Sequence, residues 1–193
     1  STAKYFLPKL LARFREEHPG VDIRLAVGNR EQLVALLHAG EVDIAIMGRP
    51  PKELATRAEP FAAHPHVFVA PPGHALVHAG TVLPGQLGEQ PFLMRESGSG
   101  TRAALEQFLE AQHVTVNTAM EMSSNETIKQ AVMAGLGISF ISSHTVAAEV
   151  EAGRLVIMDV VGLPLIKTWH VVRRTDKRLL PSAEAMYRFW VEH

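Results

Sequence analysis

Apolar positions along the chain follow two alternating periods, that of a helix and that of a strand. Phe6, Leu7, Leu10, Leu11 and Phe14 recur at helical spacing. Pro8 sits in the first turn, where its missing N–H costs nothing, and His18-Pro19-Gly20 ends the run. Val21, Ile23, Leu25 and Val27 alternate and predict a strand over 21–27. Gly28-Asn29 leads into a helix with Leu33, Leu36 and Leu37 on one face, closed by Gly40. Residues 42–47 are an almost continuous apolar run, as in a strand covered on both faces, and Gly48-Arg49-Pro50-Pro51 breaks it. Two more strands are expected at 55–62 and 66–70.

After Pro71-Pro72-Gly73 the same grammar restarts. Strands are predicted at 91–94, 118–122, 138–141, 155–158 and 166–173. Helices are predicted at 102–113, 125–134 and 144–151. A last helix carries Leu180, Ala183, Met186, Tyr187 and Trp190 on one face. Alternating strands and helices imply an α/β fold with mostly parallel sheets and right-handed crossovers. Two series imply two lobes, the first from residues 1–73 plus 173–193 and the second from 74–172. A parallel α/β unit usually opens with a strand, whereas this chain opens at a helix. A preceding strand and a preceding domain are therefore expected upstream.

Composition narrows the function classes. The 193 residues are 47% hydrophobic and 20% charged, ordinary for a globular domain. Net charge is −1 and the basic residues are dispersed, so the electrostatic footprint of a nucleic-acid-binding domain is missing. With no cysteine there are neither disulfides nor thiolate metal sites. No apolar run is long enough for a transmembrane helix, and residues 1–6 do not form a signal peptide.

The strongest chemical signal is Glu96-Ser97-Gly98-Ser99-Gly100-Thr101-Arg102. Glycine lets backbone approach a ligand closely, and hydroxyls before a helix start can join its free N–H groups in holding an anion. The same residues equally fit plain N-capping. The segment is neither a P-loop nor a nucleophile elbow. Arg49 follows a buried strand at its C-terminal end, where open α/β sheets bind ligands, and a guanidinium there can grip a carboxylate or phosphate with two hydrogen bonds. On sequence alone its ordinary reading is a surface arginine. His64-x-His66 and His74-x-x-x-His78 have two-ligand spacings but no matching carboxylate, so they are read as structural and no metal or other cofactor is assigned. Nothing announces a catalytic set.

Ser1 to Pro8, His18-Pro19-Gly20, Gly40 to Ile46 and Ala134 to Ser139 resemble the effector domain of LysR-type transcriptional regulators over the whole chain. Val27 to Glu31 and Ile46 to Pro51 look most like the CbbR-type regulators of carbon-fixation operons. The resemblance implies two lobes of periplasmic-binding-protein type 2, joined by two crossing strands, with an effector between them. It also implies an N-terminal winged helix-turn-helix that binds promoter DNA, a cytoplasmic location, and a homodimer or homotetramer. In the dimer it implies, Lys9, Arg13 and Glu16 on the first helix are covered. CbbR-type proteins answer to phosphorylated sugars or acids, or to nucleotides. Ser1, Thr2, Asn29, Arg49, Ser97, Gly98, Ser99, Gly100, Thr101, Arg102 and Ser142 are the positions it turns toward the effector, with Ser123, Ser124 and Asn125 in an equivalent turn. The chain departs from many relatives at Ile141-Ser142, where they place a proline. A small anionic metabolite, held by Arg49 and the 97–102 loop, is the expected effector. The alternatives are a solute-binding protein of a transport system and, further off, an enzyme on the same fold.

Overall fold

The computed structural model describes residues 2–193. Two compact units divide the chain. The first runs to His64 and resumes from Lys167 to His193, and the second is the continuous stretch from Pro65 to Ile166.

The first unit opens with a turn of 3-10 helix, Thr2–Tyr5, and helix α1, Leu7–Glu17. Helix α2 covers Arg30–Ala39 and strand β1 Ala45–Met47; strand β7, Leu165–Arg174, and helix α7, Pro181–Glu192, return to this unit at the end of the chain. Strand β2, Thr56–Ala70, leaves it. The strand order here is β1-β7-β2, with β1 antiparallel to β7 through Ala45 opposite Val172 and Met47 opposite His170. The pleat sends alternate residues to opposite faces. Ile46 and Val171 pack with Leu7, Tyr187 and Trp190 on one side, and Ala45, Met47 and Val172 pack with Leu37 on the other. Helix α2 ends as its sequence predicts, with Gly40 at φ 72°, and Arg174 donates to the carbonyls of Leu37 and His38.

Residues 21–27 form no strand. Alternation encodes a preferred face, but a strand exists only where a neighbour accepts its ladder. No ladder partner meets this segment among the described residues, and Leu25 and Val27 are more than half exposed. The apolar run from Val42 likewise yields only a short strand, because pairing begins at Ala45.

The second unit holds the remaining elements: α3, Ala75–His78; a 3-10 helix, Pro84–Glu89; β3, Pro91–Arg95; α4, Gly100–Ala111; β4, Asn117–Met122; α5, Asn125–Met133; β5, Ile138–Ser142; α6, Ser143–Glu151; and β6, Val156–Ile157. Its strand order is β2-β5-β3-β4. β3 runs parallel to both β4 and β5, whereas β5 is antiparallel to the second half of β2. Phe68, Phe92, Phe108 and Phe140 fill the face under α4; Val69, Leu93, Ile128, Val132 and Ile141 fill the face under α5 and α6. Gly137 explains part of the Gly135-Leu136-Gly137-Ile138 pattern. A Cβ there would lie 2.6 Å from the Pro91 carbonyl oxygen, so the approach to β3 admits only glycine.

The strands expected at 55–62 and 66–70 are one strand of 15 residues. Pro60 and Pro65 both lie within it, because proline's fixed φ suits extended backbone and costs only a donor. The division into units also departs from the expected limits at Gly73 and Arg173. Pro71-Pro72-Gly73 marks the end of a strand rather than of a unit. Val67 to Ala70 are already buried in the second unit's core, and Leu165 still packs there. No helix among the described residues is long and apolar enough to cross a membrane.

Candidate ligand-binding residues

In the first unit, the C-terminal end of β1 leads through Gly48 to Arg49, and Gly48 is held by a 3.1 Å hydrogen bond between its carbonyl and His170 Nδ1. The start of α2 joins this edge. Asn29 caps it, accepting from the Gln32 N–H at 3.0 Å while the Gln32 side chain accepts from the Asn29 N–H at 2.9 Å. Arg30 then donates from Nε to the Arg49 carbonyl at 3.3 Å. Its guanidinium is largely covered, and the nearest carboxylate, on Glu53, is 4.0 Å away. Burial and then the positive charge of Arg49 push the Arg30 pKa below its ordinary value, against the pull of Glu53. The Arg30 guanidinium thus binds the Arg49 backbone at the mouth of a helix, while the Arg49 side chain is exposed.

In the second unit, β3, β4 and β5 end side by side, with Arg95 opposite Met122. Three helices start from that edge. Glu96-Ser97-Gly98-Ser99 is a turn closed by the Ser99 N–H on the Glu96 carbonyl at 3.2 Å, with Gly98 at φ 87°. Ser99 is the N-cap of α4, its hydroxyl accepting from the Arg102 N–H at 3.2 Å. Ser97 and Gly100 are exposed and Thr101 is buried. Arg102 turns its guanidinium to Glu106 (2.8 Å), Glu121 (2.7 Å) and the Arg95 carbonyl (3.0 Å). Ser124 caps α5, and the buried Asn125 accepts from Arg95 Nη1 at 2.6 Å. Ser142 precedes α6 without capping it; its hydroxyl is buried and makes no hydrogen bond. His66 stands opposite Ser142 in the ladder and stacks on Phe140 at 5.2 Å.

The candidates therefore sort into two groups, one in each unit. Asn29 and Arg49 share an edge in the first unit. The 97–102 loop shares one with the Ser124-Asn125 turn and Ser142 in the second. Ser1 lies outside the described residues, and Thr2 begins the 3-10 turn. His64 and His66 part company, His64 stacking on Trp169 at 3.9 Å, and His74 caps α3 through the Leu76 N–H. Sequence reasoning missed Arg30 and Arg95. Each had one weak signal: Arg30 follows a cap residue, and Arg95 is the lone cation closing an apolar strand.

The family profile described as the LysR substrate binding domain matches residues 1–193. The HTH-type transcriptional regulator CfxR of Cupriavidus necator is 49% identical over 193 residues, covering 100% of this chain and 61% of that protein. The HTH-type transcriptional regulator CbbR of Rhizobium meliloti is 48% identical over 190 residues, covering 98% and 61%. The chain thus spans about three-fifths of the length of these relatives, which are named as regulators of transcription rather than as enzymes or transport proteins. Among solved structures, the regulatory domain of CcmR from Synechocystis PCC6803, in complex with 2-PG, superposes with a TM-score of 0.94 at 34% identity, over 100% of this chain and 92% of that one. The effector binding domain of QuiR in complex with shikimate superposes at 0.87 with 13% identity, over 97% and 89%, which speaks to the fold alone. That fold is the two-lobed α/β architecture of periplasmic-binding-protein type 2.

Proposed function

The chain belongs to the LysR substrate-binding-domain family, and from that premise we propose that it is the metabolite-sensing part of a cytoplasmic regulator of carbon-fixation genes, its effector a small phosphorylated acid. The observation that carries this reading is the Arg30–Arg49 pair. Arg30 binds the Arg49 backbone, so the two cations sit at one loop, with Glu53 at 4.0 Å to offset them, and an added anion is favoured there. One of them is also partly desolvated, which strengthens its attraction for a counter-charge. The helix start adds its own partial positive charge. A phosphate with two negative charges and several acceptors meets both guanidinium groups at once. The similarity to a regulatory domain in complex with 2-PG supports the same ligand class.

Besides that pair, the contact set proposed from the resemblance includes Asn29, Ser1 and Thr2 in the first unit. In the second it comprises Ser97, Gly98, Ser99, Gly100, Thr101, Arg102 and Ser142. Ser99 and Arg102 serve through the turn they hold, since the hydroxyl of one is a cap and the guanidinium of the other is paired. An effector with different affinity for two arrangements of the protein would shift their populations, and with them the promoter binding of a DNA-binding part.

Calorimetry with 2-phosphoglycolate tests the reading, with shikimate as the unphosphorylated control. Arg49→Ala is expected to weaken binding by about ten- to hundred-fold, the loss of a charged hydrogen bond of roughly 1.5–3 kcal/mol. Thr101→Val is expected to weaken it less. Unchanged affinity in both variants, with the fold intact, would sink the proposed contacts.

We further propose a homodimer that covers the exposed face of α1, where Lys9, Arg13 and Glu16 point to solvent in the single chain. Sedimentation equilibrium should then give twice the chain mass, and Arg13→Glu should lower it. A monomer at every concentration tested would refute the dimer.

A further inference from the structure

We propose that Arg173 and Tyr187 form a second ligand site in the first unit, one that takes a small, singly charged carboxylate. The site stands apart from the Arg49 contacts. Met47 pairs with His170 and Ala45 with Val172, so the chain leaving β1 for Arg49 runs toward one end of β7, whereas Arg173 lies toward the other.

Two buried donors carry the inference. Tyr187 is 5% exposed, and its hydroxyl is buried without a hydrogen-bond partner among the described residues. The Arg173 guanidinium carbon lies 5.4 Å from the centre of the Tyr187 ring. Its Nη1 donates to Glu184 at 2.9 Å, but its Nε is buried and also finds no partner among the described residues. A buried donor left unmet costs more than a made hydrogen bond returns. Two other arginines of this chain show what such an edge holds. Arg95 grips Glu96 and Arg174 grips Asp176, each through Nε and Nη2. In Arg173 the Nε of that edge is the unmet donor, and the group that fits it is another carboxylate.

The fold sets this pair among charges. Strand residues two apart share a face, so Arg57 and Glu59 of β2 lie on the side of Phe61, and Arg173 of β7 lies on the side of Val171. Phe61, Val171, Tyr187 and Trp190 pack together there. Helix α7 adds Glu184 and Arg188, whose charged groups are 3.7 Å apart. Burial, and then the charge of Glu59, raises the Tyr187 pKa, so the phenol keeps its proton and can donate it to a hydrogen bond. Arg57, Arg173 and Arg188 stand against Glu59 and Glu184, which leaves one positive charge. A ligand with one negative charge balances it, whereas a second charge would meet the two glutamates. Size is limited as well. The donors are buried, while Arg57 and Arg188 around them are largely exposed and can turn aside for a small group. A protein surface cannot follow it in. A carboxylate held by Arg173 and Tyr187 ties β7 to α7.

The test follows the Arg173 Nε–H resonance of the full chain by proton–nitrogen NMR as sodium acetate is added, with sodium sulfate as the doubly charged control. The resonance is expected to move saturably with acetate, and sulfate is expected to bind no tighter. Tyr187→Phe is expected to weaken acetate binding about tenfold, the weight of one hydrogen bond to a charged group. Arg49→Ala is expected to leave acetate binding unchanged, whatever it does to 2-phosphoglycolate. No saturable movement, or equal affinity in Tyr187→Phe, overturns the site. Tighter binding of sulfate overturns the choice of a singly charged ligand. Loss of acetate binding in Arg49→Ala would put the acetate at the Arg49 contacts and overturn the second site. Should Tyr187→Phe not fold, Arg173→Lys takes its place, read from the Tyr187 ring resonances, because lysine keeps the charge and lacks Nε. Unchanged affinity in that variant overturns the proposal.

Discussion

Replacing Lys129 with methionine is expected to remove about 3–5 kcal/mol from the stability of the second unit, the usual cost of stranding one member of a buried ion pair. The Lys129 ammonium is 4% exposed and joins α5 to α6, donating to Glu149 Oε1 at 2.8 Å and to the Thr145 carbonyl at 3.1 Å. Glu126 adds a second carboxylate at 3.1 Å, but it is half exposed and can return to water. Glu149 cannot, with its side chain only 11% exposed. Burial works against the charged form of Glu149. The hydrogen bonds from Lys129 and from its own backbone, with the charges of Lys129 and Arg154, overcome that and hold its pKa below the ordinary value. A lowered folded-state pKa means stability that is complete above the ordinary carboxylate range and is lost as pH falls through the lowered value. In Lys129→Met the burial penalty dominates and the Glu149 pKa rises. The sign then reverses, and the variant recovers stability on mild acidification where the wild type holds steady. Urea denaturation at pH 7 and pH 5 measures both. A variant as stable as wild type at pH 7 would show that the pair contributes nothing net.

An effect of similar size is expected from Phe68→Ala, about 3–5 kcal/mol for a fully buried phenylalanine that leaves a cavity. Phe68 is 0% exposed, and its ring meets those of Phe92, Phe108 and Phe140 at centroid distances of 6.1, 5.9 and 5.1 Å. These rings come from β2, β3, α4 and β5, so no single shift closes the hole. Both tryptophans, Trp169 and Trp190, belong to the first unit. The loss should therefore be followed by far-ultraviolet circular dichroism rather than by tryptophan emission. A midpoint within the error of the wild type would mean that the aromatic cluster repacks around the gap.

Periodicity made most of this fold legible before any coordinates. Helical stripes and Gly40 placed the longer helices within a turn, because a helix satisfies its hydrogen bonds locally, whereas α3, only four residues long, shows no stripe and was missed. Strands depend on a neighbour, and there the reading slipped. Residues 21–27 alternate like a strand but have no ladder, and β2 continues through Pro65, which lies between the two strands expected there. The candidate residues divide along the same line. Asn29 and Ser99 were legible as caps, since a cap speaks to an N–H three residues on. Arg95 and Arg30 matter through Asn125 and Arg49, 30 and 19 positions away, and no local pattern announces such partners.

The interleaving of the two units has a consequence for the order in which the protein is made. The second unit is one uninterrupted stretch, so all its strands have been synthesised once Ile166 is joined to the chain. The first unit begins earlier and finishes later. Val171, Tyr187 and Trp190, around which α1 packs, follow the whole of the second unit in the chain. On a ribosome, which holds the newest part of a growing chain within its tunnel, α1 and β1 must wait with their apolar faces uncovered until α7 has been made and has left the tunnel. The part that starts first is thus the last to close, and the newborn protein is most open to aggregation or chaperone capture during that interval.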